Sequence, residues 1–425
     1  MIKENDVLTL EAIDIDYQGN GVCKYDDMVI FVKKMITNEV ALVKITSIKK
    51  NFAAADIVKL IKKSKDRRDN DTHSLGSLNL IHLTDQAQIK WQEKTTKDTF
   101  LKIAGLDVEI NKSIFSSKSV YYRNKAVFHV MNSRYITLGL YQDNELKLKK
   151  TNEFILVDNV INKFLRIINE SQIIVGSELY HVVFRVNSNN QILITFVSTK
   201  EDFDGLDDLI FLLRKHEEVI GITVNLKKDI KRILGDKSKT VFKDNLIDMS
   251  LDKYKISVND RSFYQINSSI IKPLYDEIKE EINEKDIVID AFSGVGSIGF
   301  YLSEKASKII LIDNNLENIE MAHKTKSDNN INNVEIIKAN VEDKLQDINA
   351  DVLIVDPPRN GLFPMAKEAI LDNGYKKLIY LSCDPKTLAR DIKELVDKYD
   401  IKKVVPIRMF PQTTSIETLV VLELK

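Results

Sequence analysis

Asp286-Ile-Val-Ile-Asp290-Ala-Phe-Ser-Gly294-Val-Gly296-Ser-Ile-Gly299 decides the fold. Its first five residues form an apolar run of strand length, a glycine turn follows at once, and a helical pattern opens behind the turn. Four more such runs lie downstream, at Lys308-Ile-Ile-Leu-Ile-Asp313, Val334-Glu-Ile-Ile337, Asp351-Val-Leu-Ile-Val-Asp356 and Lys377-Leu-Ile-Tyr-Leu-Ser382, each followed by a helix-like stretch. Strands alternating with helices over 256–425 predict a mostly parallel, doubly wound α/β sheet of the Rossmann kind. The tail Glu417-Thr-Leu-Val-Val-Leu-Glu-Leu424 alternates less and reads as an added antiparallel edge strand. Ligands of such sheets bind beyond the carboxyl ends of the strands, so residues there are the candidates for chemistry.

The turn spells G-x-G-x-x-G through Gly294, Gly296 and Gly299, which admits a nicotinamide dinucleotide. Asp313 ends the next strand, where a carboxylate can accept hydrogen bonds from ribose hydroxyls. Asp290 separates two cofactor classes. Standing just before the turn, its charge would oppose an anionic pyrophosphate, yet it suits the amino-acid ammonium of S-adenosylmethionine, which carries no phosphate. The methyl donor is preferred, and a nicotinamide oxidoreductase is the lesser alternative.

Cys383 lies where the last parallel strand gives way to a helical pattern, in Ser382-Cys383-Asp384-Pro385. A free cysteine is by default a small buried core residue. Its neighbours favour another role: Asp356-Pro-Pro-Arg359 ends the preceding strand, and Phe410-Pro-Gln-Thr413 with Glu417 follows. An acid, an arginine and a thiol can therefore meet in one cleft.

The chain has 425 residues, enough for two or three domains, with 44% apolar and 29% charged residues. No apolar run approaches the roughly 20 residues of a membrane span, and the charged start Met1-Ile-Lys-Glu-Asn-Asp6 lacks a signal-peptide core. A cytoplasmic protein with no membrane partner is expected. Cys23 and Cys383 are the only cysteines and make neither a disulfide framework nor, by themselves, a zinc or iron–sulfur site. Net charge is −1, but from Lys33 to Arg68 eleven lysines and arginines face three acids, Glu39, Asp56 and Asp66. This excess is a candidate phosphate-facing surface.

Upstream, residues 1–58 alternate apolar and polar in short runs broken at Gly19-Asn-Gly21 and Tyr25-Asp-Asp27, the pattern of a small β-barrel. Lys62-Lys-Ser-Lys-Asp-Arg-Arg68 reads as a charged linker. Residues 59–255 are mixed α+β: a helix over Gln86–Leu106 holding Trp91, a strand at Lys125–Val130, paired strands at Glu178–Arg185 and Gln191–Val197, a helix over Leu206–Glu217 and a strand at Ile220–Asn225. His181 reads as a structural strand residue.

Taken together, the Phe263-Tyr-Gln-Ile-Asn267 segment, the glycine turn, Asp356-Pro-Pro-Arg359, Ser382-Cys-Asp-Pro-Lys-Thr-Leu-Ala-Arg-Asp391 and Phe410-Pro-Gln-Thr413 with Glu417 resemble, in order, the motifs of the S-adenosylmethionine-dependent RNA uracil-C5 methyltransferases. The likeness covers essentially the whole chain; the N-terminal barrel, with Gly19-Asn-Gly-Val22 and Phe31-Val32, resembles the TRAM RNA-binding domain. It implies that Cys383 is the nucleophile and Glu417 the base removing the C5 proton. Gln265, Phe292, Gly294, Ser297, Asp313, Asn340 and Asp356 would surround the cofactor, with Asp356 also bordering the target base.

Three departures stand out. Leu75-Gly-Ser-Leu78 replaces the Cys-Gly-Gly-Cys of members that hold an iron–sulfur cluster, so no cluster is expected; Arg408 stands where an acid is common; and Ser415 replaces a usual histidine. The barrel favours 23S ribosomal RNA as substrate by family analogy. The T-loop uridine of transfer RNA, or a non-catalytic RNA-binding or assembly factor, are the alternatives. A monomer is expected.

The chemistry such an enzyme needs fits these residues. Uracil C5 is a poor nucleophile until a thiolate adds to C6. A free thiol of pKa near about 8.5 is mostly protonated at neutral pH, so Cys383 should need help from Arg359 or from the helix beginning after Pro385. The base must leave its stack, and Phe263, Tyr264 and Tyr122 are candidate stacking surfaces.

Overall fold

The computed structural model describes residues 2–68, 75, 77–142, 147–229 and 231–425. Strands β1 (Val7–Ile15), β2 (Gly21–Tyr25), β3 (Met28–Val32), β4 (Val40–Ile48) and β5 (Phe52–Lys62) close into a barrel in the order β1-β2-β3-β5-β4. Alternation fills its interior: Leu10, Ala12, Cys23, Ile30, Val32, Val43, Ile45 and Ala53 are buried together. Cys23 is thus a packing residue.

The stretch expected to be a charged linker is partly strand and partly anchor. β5 runs to Lys62, and Arg67 grips the fully buried Glu39 with two donors, Nε at 2.5 Å and Nη2 at 2.7 Å. Arg68 donates to Asp85 at 2.8 Å. Two of the eleven basic groups are therefore engaged in ion pairs at the junction of the barrel and the segment behind it.

Helix α1 (Asp85–Thr99), capped by Thr84, ends in a π-helical turn over Phe100–Ala104. Its Trp91 donates to the Asp16 carbonyl in the barrel at 3.0 Å, and Phe100 enters the apolar core of the C-terminal sheet. The central sheet takes β6 (Lys125–Val130), β7 (Leu138–Tyr141), β8 (Leu148–Lys150), helix α2 (Asn159–Glu170), β9 (Leu179–Val186), β10 (Ile192–Ser198), helix α3 (Leu206–Leu213), β11 (Val219–Leu226) and β12 (Lys237–Lys243). Its order is β12-β11-β10-β9-β6-β7-β8, with β10 and β11 parallel across α3. Of Leu75-Gly-Ser-Leu78, Gly76 lies outside the described residues; Leu78 is buried with Ile81, Tyr122 and Phe154, so apolar packing occupies this place.

The hairpin β13 (Leu246–Leu251) and β14 (Tyr254–Asn259) packs with helix α4 (Ser268–Glu280) into the C-terminal core. There follow β15 (Ile287–Ala291), α5 (Ser297–Leu302), β16 (Lys308–Asp313), α6 (Leu316–Asp328), β17 (Val334–Lys338), α7 (Val341–Lys344), β18 (Val352–Val355), α8 (Pro364–Asn373), β19 (Lys377–Ser382), α9 (Pro385–Leu395), β20 (Tyr399–Ile407) and β21 (Glu417–Leu424). The sheet order is β17-β16-β15-β18-β19-β21-β20, parallel through the first five and antiparallel at the last two. The tail strand is antiparallel as expected, but it is not the edge. β20 covers it, a strand hidden in the sequence by Lys402-Lys403, Pro406 and an irregularity between Ile401 and Lys403.

Candidate active site

Register brings the C-terminal residues together. Ser382 of β19 pairs with Thr418 of β21, so Cys383, one step past Ser382, lies beside Glu417, one step before Thr418. Val355 pairs with Tyr380 on one side and Ala291 on the other, which sets Asp356 and Phe292 along the same carboxyl edge.

Helix α9 begins where it does because Pro385 has no amide hydrogen to satisfy and Asp384 caps the first turn, accepting from Lys386 N at 2.8 Å and Thr387 N at 3.4 Å. Arg359 is exposed on a loop held from behind: Leu362 N donates to Asp391 at 2.8 Å, Arg390 donates to the Asn360 carbonyl at 2.8 Å, and Gly361 adopts φ +75° against Asp391. Asp391 is fully buried and also accepts from Tyr380 at 2.8 Å.

The thiol is not activated as the residue types suggested. Burial, then the charges of Glu417 and Asp356, push Cys383 up to about 11, and Arg359 only partly opposes them. The helix end contributes little because Asp384 already occupies its amides with a carboxylate. Glu417 is 2% exposed; burial and Asp356 push its carboxyl well up, against Arg359. Asp356, raised to about 7 by burial, accepts from Gln265 Nε2 at 3.3 Å.

The glycine turn is built around two carboxylates. Gly299 N donates to Asp290 Oδ2 at 2.9 Å, and a side chain at Gly299 would meet Leu311 and Ile309, which explains the close helix-on-strand contact. Phe292 takes φ +61°, a left-handed backbone rare outside glycine, and marks the turn as locally strained. Asp313 accepts from Gly294 N at 2.9 Å through one oxygen and from Asn315 N and Asn318 Nδ2 through the other. Ser297 shares a 2.8 Å hydrogen bond with Tyr275, and Asn340 is exposed, joined to Asn314 at 3.1 Å and Asp343 at 2.9 Å.

An S-adenosyl group fits these residues. Asp290 Oδ1 and Ser293 Oγ are buried without a partner, and a Cβ at Gly294 would be no nearer than 3.7 Å to any other residue. Burial, with the charges of Asp356 and Asp313 adding to it, raises Asp290 to about 7, so a cationic partner there would draw its proton off.

Among the aromatic candidates, Phe263 is 57% exposed beside Gly294, whereas Tyr264 at 3% and Tyr122 at 3% are core residues. Tyr122 donates to the Pro411 carbonyl at 3.1 Å, holding the loop that leads to Glu417, and neither tyrosine offers a face to a base. Sequence reasoning missed Tyr275 and Asn318, polar groups on helical faces that carry no motif. It also left Arg408 unexplained: its guanidinium is buried and donates to Asp85 at 2.6 Å and Gln88 at 2.7 Å.

Comparison with known proteins fits this architecture. Residues 339–425 match the family model described as tRNA (Uracil-5-)-methyltransferase, and residues 272–373 that of the methyltransferase small domain. The crystal structure of Pyrococcus abyssi tRNA (uracil-54, C5)-methyltransferase in complex with S-adenosyl-L-homocysteine has the same fold, with TM-score 0.76 and 21% identity over 97% of this chain and 100% of that one. Fold and site thus define a methyltransferase of the doubly wound α/β class. An uncharacterized RNA methyltransferase of Fusobacterium nucleatum is 31% identical over 100% of this chain and 97% of its own length, and one of Oceanobacillus iheyensis is 30% identical over 100% and 98%. The chain belongs to this RNA methyltransferase family, and its C-terminal part carries the uracil-5-methyltransferase domain.

Proposed function

We propose that the protein is an S-adenosylmethionine-dependent RNA (uracil-5-)-methyltransferase that forms 5-methyluridine, with 23S ribosomal RNA as its substrate. The observation that carries the mechanism is the strand register that sets the Cys383 thiol beside the Glu417 carboxylate, with Asp356 on the neighbouring strand end. S-adenosylmethionine supplies an electrophilic methyl on a sulfonium. Asp290, Phe292, Gly294, Ser297, Asp313 and Asn340 would hold the donor, and Gln265 would orient Asp356 toward both donor and base.

Cys383 gives up its proton to solvent in the open cleft beside it and adds through sulfur to uracil C6, moving the C5–C6 π pair toward O4. C5 then takes the methyl, and the pair of the broken carbon–sulfur bond stays on the donor's sulfur. Glu417 removes the C5 proton; the freed pair restores the C5–C6 double bond as the thiolate leaves. A carboxyl held above its ordinary range is the stronger base once ionised, and Glu417 is in that condition. Arg359 balances the charge of the thiolate and of Glu417 in turn.

The barrel of residues 1–58, read as TRAM-like, with the basic stretch from Lys33 to Arg68, and the part over 59–255 would grip folded RNA, while 256–425 performs the transfer; the working unit is a monomer in the cytoplasm. Transfer RNA is the second reading, favoured by a fold shared end to end with an enzyme named for that substrate. Labelled S-adenosylmethionine with unmodified 23S and transfer RNA in parallel separates the two: label at uracil C5 of 23S RNA alone is expected, label in transfer RNA alone transfers the assignment there, and label in neither contradicts the activity.

A further inference from the structure

Beside Cys383 an open cleft of about 250 Å³ runs between the barrel and the catalytic sheet. Cys383 and Arg359 form one end of it; Tyr17 and Gln18 of the β1–β2 turn, Thr95 and Thr99 of α1 and Lys386 of α9 stand among its other walls, with Asp384, whose carboxylate is turned to the α9 amides. We propose that this cleft is a subsite for the nucleotide adjoining the target uridine, its base stacked on Tyr17 and its phosphate met by Lys386. The inference rests on the methyltransferase reading above and extends it to the neighbouring residue of the RNA.

Tyr17 has the properties of a prepared platform. It is 52% exposed, although the turn that carries it is rigid. Asp16 closes that turn by accepting from Gln18 N at 2.9 Å, Asn20 N at 2.7 Å and Asn20 Nδ2 at 3.1 Å, and its carbonyl accepts from Trp91. Gly19, at φ +85°, lets the turn press on Leu80 and Thr414, where a side chain would collide with Leu80 at 2.9 Å. An aromatic ring fixed at the surface beside the nucleophile loses little entropy when a base stacks on it.

Lys386 supplies the charge. Its ammonium sits 3.7 Å from the Tyr17 ring centroid, and among the described residues no carboxylate pairs with it. A cation over an exposed ring is weakly held, so the lysine can turn to a phosphate while the ring takes a base. The hydroxyls of Thr95, Thr99 and Ser415 and the amide of Gln18 line the remaining wall and give the cleft a hydrogen-bonding edge.

Binding of a fluorescein-labelled, single-stranded RNA pool of random sequence to the full chain tests this. Tyr17→Ala should weaken binding about ten-fold while Tyr17→Phe keeps it, because stacking needs the ring and not the hydroxyl. Lys386→Gln should reduce the slope of log Kd against log salt by about 0.7, the share of one phosphate on a single strand. Wild-type affinity in Tyr17→Ala, or equal loss in Tyr17→Phe, overturns the stacking role; an unchanged slope in Lys386→Gln overturns the phosphate contact. Weakened binding in Tyr17→Ala with no methyl transfer by the wild type leaves the subsite standing and sinks the methyltransferase reading. Unchanged binding in a protein that methylates RNA does the opposite.

Discussion

At the scale of single residues, the site stores its reactivity. Cys383 is held protonated by burial and by two acids, and the same burial makes Glu417 a strong base. A thiol raised to about 11 gains roughly ten-fold in thiolate per pH unit across the neutral and alkaline range, so alkylation of native protein by iodoacetamide should climb without a plateau from pH 7 to 9. Cys23, fully buried, should stay unmodified. Glu417→Gln removes a charge that raises the thiol, so alkylation at pH 8 should quicken; slower alkylation would show that Glu417 assists the thiol instead. With RNA and methyl donor, the same variant should accumulate a denaturation-resistant protein–RNA adduct, because addition and transfer proceed but elimination does not. Normal turnover would assign the proton to another base.

At the scale of elements, the strand-end acids, the glycine turn and the thiol were legible in the sequence because short apolar runs and glycines carry strong local signals. The burial of Tyr264 and Tyr122 was not, since an aromatic in a motif reads alike whether it faces a ligand or the core. Nor was the role of Arg408, whose partners Asp85 and Gln88 lie more than three hundred residues away in the chain. Two substitutions measure these elements. Gly299→Ala places a methyl within 2.3 Å of Leu311 Cδ2, and overpacking of this kind costs about 1–3 kcal/mol, read as a lowered midpoint of urea unfolding. Arg67→Ala leaves the Glu39 carboxylate buried without its guanidinium, held by the Ile36 and Ser64 amides, with an expected loss of about 3–5 kcal/mol. A midpoint equal to wild type in the second case would mean that the barrel is not held by this pair.

At the scale of the molecule, the barrel, α1 and the loop before Glu417 form one connected structure: Trp91 reaches Asp16, Arg68 and Arg408 both reach Asp85, and Gln412 accepts from Gln88 at 2.8 Å. On the proposed reading, RNA held by the barrel would thereby be presented at a fixed place relative to Cys383. The exposed Lys44, Lys49, Lys50, Lys59 and Lys62 of β4, β5 and the turn between them predict a binding constant that falls linearly in log salt, with a slope reporting several phosphates. Affinity independent of salt between about 50 and 200 mM would remove the barrel from the account.

The central claim is covalent addition of Cys383 to uracil C6 followed by methyl transfer to C5. RNA containing 5-fluorouridine tests it most directly, because fluorine at C5 cannot leave as a proton and the adduct is trapped after transfer. With S-adenosylmethionine present, the account predicts a denaturation-resistant complex whose methylated 5-fluorouracil maps by mass spectrometry to the Cys383 peptide and is absent in Cys383→Ala. A complex of equal yield in Cys383→Ala, or attachment at any other residue, would contradict it.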